Sequence, residues 1–227
     1  MTSPLCISPS LWQVGGDHLS APGDAAVYLV RFGGQALLID AGCGPGHDRI
    51  TAAVEAVLPA GTVLTHLFLT HCHYDHTGGA DRLRHHFGCR IVVHRRDADF
   101  LEHGDGRVTA ADGYGASLDP FAVDYCIEGE SEVFHVGDGE LTACFCPGHS
   151  PGSCVYLADI DGRRVLFGQD VHGPLHPDLL SDRALYLASL KRMRSMEAEV
   201  LCEGHFGVIE GRRKVQAFID HYRHGAD

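Results

Sequence analysis

The segment His71-Cys72-His73-Tyr74-Asp75-His76 crowds four side chains able to bind a metal into six residues, directly after the apolar run Thr65–Thr70. In extended backbone, residues two apart point the same way, so His71 and His73 can grip one ion together. If the chain then turns into a helix, Asp75 and His76 swing towards a neighbouring position. One short segment could thus serve two ions. Imidazole nitrogen and carboxylate oxygen suit zinc, and also iron or manganese. A polar loop with coincidental histidines is the alternative, and ligands at i, i+2, i+4 and i+5 argue against it.

This motif resembles that of the metallo-β-lactamase superfamily, and the rest of the chain follows the same order. Leu37-Leu38-Ile39-Asp40-Ala41-Gly42 reads as an early strand closed by an acidic residue, and Cys146-Pro147-Gly148-His149-Ser150 as a histidine turn. Leu166-Phe167-Gly168-Gln169-Asp170 supplies an aspartate after an apolar strand, and Glu203-Gly204-His205 a histidine after the last strand. The resemblance covers residues 37–205.

It implies an α+β fold, the αββα four-layer sandwich of two mixed β-sheets flanked by helices. It implies two divalent ions, zinc first, with iron or manganese as alternatives. His71, His73 and His149 would hold one ion; Asp75, His76 and His205 would hold the other; Asp170 would bridge them. Asp40 would hydrogen-bond a ligand and fix its orientation. Asp75 would also take a proton from the attacking water. Such a centre activates water at neutral pH for attack on carbon or phosphorus.

Asp170 argues against β-lactam cleavage, because true β-lactamases of this superfamily lack the bridging aspartate. Flavodiiron proteins carry a carboxylate where His73 stands. The glyoxalase II-like and lactonase-like branch fits better. However, the helical glutathione-binding domain of glyoxalase II is not expected after His205, and Val171-His172-Gly173-Pro174 stands where lactone-cleaving relatives carry a tyrosine. The expected function is a dinuclear hydrolase of a small ester, thioester or lactone. One alternative is an iron-dependent persulfide dioxygenase using His71, His149 and Asp170; another is a non-catalytic metal-binding module. The substrate-binding residues are unknown, with segments 15–24, 97–124 and 171–181 the ones expected to shape the pocket. His172 reads as a surface histidine close to that pocket, and Cys72 as a core residue turned away from the ligands.

Several elements must position these groups. Strands are expected at Leu11–Val14, Ala25–Phe32, Gln35–Asp40, Thr65–Thr70, Arg90–His94, Ser131–Val136, Glu140–Cys146, Cys154–Ala158, Arg164–Phe167 and Val200–Cys202. Helical spacing marks Ile50–Leu58, Thr77–Phe87, Ser181–Met196 and Arg212–Tyr222, with Leu185, Leu190 and Met193 expected to be buried in the third. Residues 97–124 read as a short helix and a mobile loop, a candidate lid. Strands thus come in runs separated by single helices, with no linker, so residues 1–227 are expected to form one domain of two packed sheets.

The net charge of -12 argues against a nucleic-acid backbone as partner. The basic run Arg212-Arg213-Lys214 reads as a solvated helix face. No secretory signal is seen in Met1 to Trp12, and no apolar run reaches the roughly 18 residues of a membrane span. A cytoplasmic location follows, with nine reduced cysteines, since no C-x-x-C pair is present. The expected partner is a small-molecule substrate, with no nucleic acid and no membrane; a homodimer is compatible with this.

Overall fold

The computed structural model describes residues 3–168 and 170–225. Seven strands form the first sheet, in the order β1 (Leu5–Ser8), β2 (Leu11–Gly15), β3 (Val27–Phe32), β4 (Gln35–Ile39), β5 (Val63–Phe68), β6 (Arg90–His94) and β7 (Tyr125–Ile127). Its first half is an antiparallel meander, and from β4 onward the pairing is parallel. The parallel half needs crossovers. Helix α1 (His47–Val57) links β4 to β5, and α2 (Tyr74–Thr77) with α3 (Ala80–Phe87) link β5 to β6. Helix α4 (Arg95–His103) precedes β7.

The second sheet contains β8 (Ser131–Val136), β9 (Gly139–Phe145), β10 (Cys154–Ile160), β11 (Arg163–Phe167), β12 (Val200–Glu203) and β13 (Gly207–Glu210). It runs in the order β13-β12-β11-β10-β9-β8 and is antiparallel except where β11 meets β12. Helix α5 (Arg183–Ser195) makes that parallel crossover, and α6 (Arg212–His224) closes the chain.

Strand alternation creates three cores. Leu37, Ile39 and Phe68 point between the sheets, against Leu141, Tyr156 and Phe167. Their neighbours Leu38 and Leu67 point the other way, against Ile50, Val54 and Leu83 of the first helical layer. Val155, Leu166 and Leu201 likewise meet Leu190, Met193, Val215 and Ile219 of the second. Each fully buried side chain of this size contributes about 1.5–3 kcal/mol, which is why both faces of the central strands are apolar. The result is the four-layer αββα sandwich with two mixed sheets.

Several expectations are corrected. The helix expected over Thr77–Phe87 starts at Ala80, Thr77 instead closing α2, and Gly78 and Gly79 between them lie so near the loop after β4 that a Cβ on either would come within 2.3 Å of the Cys43 or Ala41 carbonyl oxygen. Leu185 is 43% exposed, and Tyr186, Ser189, Leu190 and Met193 form the buried side of α5. The loop after α4 is pinned rather than free, since Val108, Ala111, Leu118 and Phe121 enter the first helical core. Strands β1, β7 and β13 have no counterpart in the sequence reading.

Candidate metal centre

The segments that follow β5, β9, β11 and β12 carry every candidate ligand, Asp75 and His76 within α2, and Asp40 follows β4. Thr70, His71, His73, Asp75, His76, His149 and Asp170 are all buried. Two inner-core tyrosines fasten these loops: Tyr156 donates to the Leu69 carbonyl at 2.7 Å and Tyr28 to the Glu203 carbonyl at 2.8 Å.

The expected residues gather into two sets. One ligand atom each from His71, His73, His149 and Asp170 lies within 4.8 Å of the others, and Asp75, His76 and His205 form a second such group. Asp170 faces both: Oδ2 is 3.3 Å from His149 Nε2, and Oδ1 is 3.1 Å from His76 Nε2 and 3.4 Å from His205 Nε2. Asp75 Oδ2 lies 3.1 Å from His205 Nε2 and 3.7 Å from His76 Nε2.

Hydrogen bonding on the far side of each ring decides which nitrogen is free. Asp40 sits in left-handed backbone at φ 63°, a conformation that costs free energy for a non-glycine residue and that short polar side chains tolerate best. Its Oδ2 accepts from His76 Nδ1 at 2.7 Å and from Thr70 Oγ1 at 2.9 Å, while Oδ1 accepts from the Thr70 amide at 2.8 Å. The single Thr70 hydroxyl proton goes to this carboxylate, so the 2.9 Å contact between Thr70 Oγ1 and His71 Nδ1 has the ring donating. His149 Nδ1 donates to the Pro174 carbonyl at 3.0 Å. His71, His76 and His149 therefore all turn Nε2 inward.

Those inward atoms are what a cation would satisfy. Nε2 of His71, His73, His76 and His149, together with Asp170 Oδ1, is buried without a hydrogen-bond partner among the described residues. Orphaned polar atoms at such density are costly without a ligand to share. Charge divides between the sets. Burial pushes His71 well below the ordinary histidine range and His73 to about 3, so both stay neutral and ready to donate a lone pair. Burial also disfavours a charged His76, yet Asp170, Asp40 and Asp75 outweigh it and raise that ring well above the usual value. His205 likewise rises against burial to about 10, through Asp170 and Asp75. Burial raises the Asp75 carboxyl, but His76 and His205 hold it below the usual range. The second set is a pocket of negative potential that draws in positive charge.

Sequence reading missed Thr70, whose only signal was its place before His71. It also placed His172 at the surface. That ring is only partly exposed: its Nδ1 donates to Glu203 Oε1 at 3.0 Å, and it packs on His205 with ring centres 5.1 Å apart. Glu203, fully buried, receives the amides of His205 and Phe206 at 2.7 and 2.9 Å on its other oxygen. A cavity of about 680 Å³ reaches the centre at His205 and is lined by Gly16, Asp24, Tyr114 and Phe206 among others. Segments 15–24 and 97–124 thus do contribute walls. Segment 171–181 helps to line a separate cavity of about 410 Å³ beside His172.

A family model for the metallo-β-lactamase superfamily matches residues 21–205, and the chain belongs to that superfamily. It is 31% identical over 145 residues to a probable metallo-hydrolase of Bacillus subtilis, covering 62% of this chain and 64% of that protein. It is 31% identical over 225 residues to an atrochrysone carboxyl ACP thioesterase of Aspergillus fumigatus, covering 94% of this chain and 62% of that one. An acyl-coenzyme A thioesterase of Gallus gallus is 29% identical, covering 83% and 75%. The chain spans a little under two thirds of the length of the first two. Among solved structures, a metallo-β-lactamase of Cronobacter sakazakii superposes with a TM-score of 0.83 at 20% identity, covering 99% of this chain and 93% of that one. At that identity the likeness concerns the fold.

Proposed function

We propose that the protein, as one domain over residues 1–227, is a dinuclear metal-dependent hydrolase of small carboxylic esters, thioesters or lactones. His71, His73 and His149 would hold the first ion and Asp75, His76 and His205 the second, with Asp170 shared between the two sets. The observation that carries this is the placement of Asp170, one oxygen towards His149 and the other towards His76 and His205. A pair of divalent ions, zinc first, supplies Lewis acidity and lowers the pKa of a water towards neutrality.

The protein's own groups do the rest. Asp75, held ionised by its two histidine neighbours, is placed to take a proton from the attacking water. Asp40 keeps His76 and, through Thr70, His71 aimed inward. The cavity beside His205 admits the acyl group, with Phe206 as an apolar wall and Tyr114 turning its hydroxyl to Asp75. The thioesterase relatives support a thioester as the first substrate to try. A three-ligand iron centre on His71, His149 and Asp170 would leave Asp75, His76 and His205 without a role.

The test is steady-state hydrolysis of acyl thioesters, aryl esters, lactones and phosphodiesters by zinc-loaded protein. Turnover of a carboxylic ester or thioester with kcat/KM above about 10³ M⁻¹s⁻¹, a decade under the usual enzyme range, is the expected result. Oxygen uptake with a persulfide and no hydrolysis in the panel would overturn it.

A further inference from the structure

The first ligand set is assembled from two loops distant in sequence. His71 and His73 follow β5, and His149 follows β9. One backbone bond brings the loops together, Cys154 N donating to the Thr70 carbonyl at 2.8 Å, while Cys146 N, donating to the Ser153 carbonyl at 2.8 Å, closes the His149 loop on itself. Between them stands a side chain from a third element. Asp97 lies in the first turn of α4, with none of its surface exposed.

Its two oxygens receive an amide from the histidine segment and a hydroxyl and an amide from the other loop, with the Cys72 thiol also bonded to the carboxylate. Oδ2 accepts the amide of Cys72, the residue between His71 and His73, at 2.9 Å, and the hydroxyl of Ser150, the residue after His149, at 2.6 Å. Oδ1 accepts the Gly152 amide at 2.5 Å. Because the Ser150 proton goes to the carboxylate, the 2.8 Å contact between the two serine hydroxyls has Ser153 donating; Ser153 Oγ in turn accepts the Ser150 amide at 3.0 Å. Among the described residues, Asp97 makes no hydrogen bond to a ligand ring. Burying an ionisable group this completely costs several kcal/mol unless its hydrogen bonds are made, and here they are all spent on fixing one loop against the other.

We propose that Asp97 is a positioning residue for the first metal: its carboxylate crosslinks the His71–His73 segment to the His149 loop and sets the three imidazoles at coordinating separation before the ion arrives. This rests on the reading that those three histidines hold an ion. Nothing comparable from Asp97 reaches Asp75, His76 or His205. The clamp should therefore act on one site and spare the other.

Zn2+ affinity, measured by competition with a chromophoric chelator, separates the two. In a His205→Ala background only the first set is complete; in a His73→Ala background only the second is. Asp97→Asn keeps the shape but must aim its NH2 at either the Cys72 or the Gly152 amide, and two donors cannot pair. Partners one step behind metal ligands typically contribute 10–100-fold in affinity. The expected result is a loss of about 10–100-fold from Asp97→Asn in the His205→Ala protein, and less than about threefold in the His73→Ala protein. Ser150→Ala, which removes one of the donors to the carboxylate, should give a smaller loss of the same kind, and serves where Asp97→Asn does not fold. Equal losses at both sites, or none at the first, would overturn the proposal. His205→Ala protein that binds no Zn2+ even with Asp97 intact would instead sink the ligand reading beneath it.

Discussion

Asp75 carries the sharpest chemical expectation of any single residue. Asp75→Asn keeps the size of the side chain while removing its charge and most of its basicity. General-base contributions run to roughly 10²–10⁴-fold. The variant should fold normally by circular dichroism, retain the first ion, and lose at least about 10²-fold in kcat at saturating metal. Turnover near that of the parent would show that Asp75 is not the proton acceptor. The segment His71–His76 was legible in the sequence because four candidate ligands at i, i+2, i+4 and i+5 form a geometric pattern, whereas His149, Asp170 and His205 were expected only through the family resemblance. The supports of these ligands were not legible. Asp97 and Cys72, or His172 and Glu203, are partners only once loops from different elements are folded together, and no local pattern links them. Thr70 was visible but bland; its role depends on where one hydroxyl proton goes.

At the scale of elements, alternation and helical spacing found the central strands and the main helices. The short edge strands escaped because half-exposed segments such as β1 and β7 carry no apolar alternation. Helix α5 was found, and Leu190 and Met193 lie on its buried side as expected, but Leu185 does not: Tyr186 is the one drawn under the loop, its hydroxyl meeting the Val171 carbonyl. The junction of β6 and α4 makes a testable pH response. His94 stacks on Phe145 with ring centres 4.1 Å apart, and its Nδ1 accepts the Arg96 amide at 3.2 Å, capping α4. Burial, with Arg96 nearby, lowers its pKa from 6.5 to about 4. The unfolded chain therefore binds the proton first. The stability tied to a neutral His94 is fully present above about 6.5 and is lost as pH falls towards 4. In chelator-treated protein, the thermal midpoint should fall across this window, and His94→Asn, which keeps a capping oxygen without a titrating ring, should flatten that fall. An unchanged slope would remove His94 from the account.

Across the whole molecule, two apolar faces on the central strands imply layers on both sides, and that much could be read from the order of strands and helices. What could not be read is convergence. Loops from both sheets meet at one centre only because the sheets pack face to face, which brings His149, Asp170 and His205 from one sheet to the His71–His76 segment of the other. The described residues contain no helix long and apolar enough to cross a membrane, and their cysteines are all free thiols. The centre itself is the claim on which function depends. Elemental analysis of protein equilibrated with excess Zn2+ and desalted tests it most directly. About two ions per chain are expected for the parent and about one for His205→Ala. A single ion per chain in the parent, unchanged in His205→Ala, would contradict a dinuclear site.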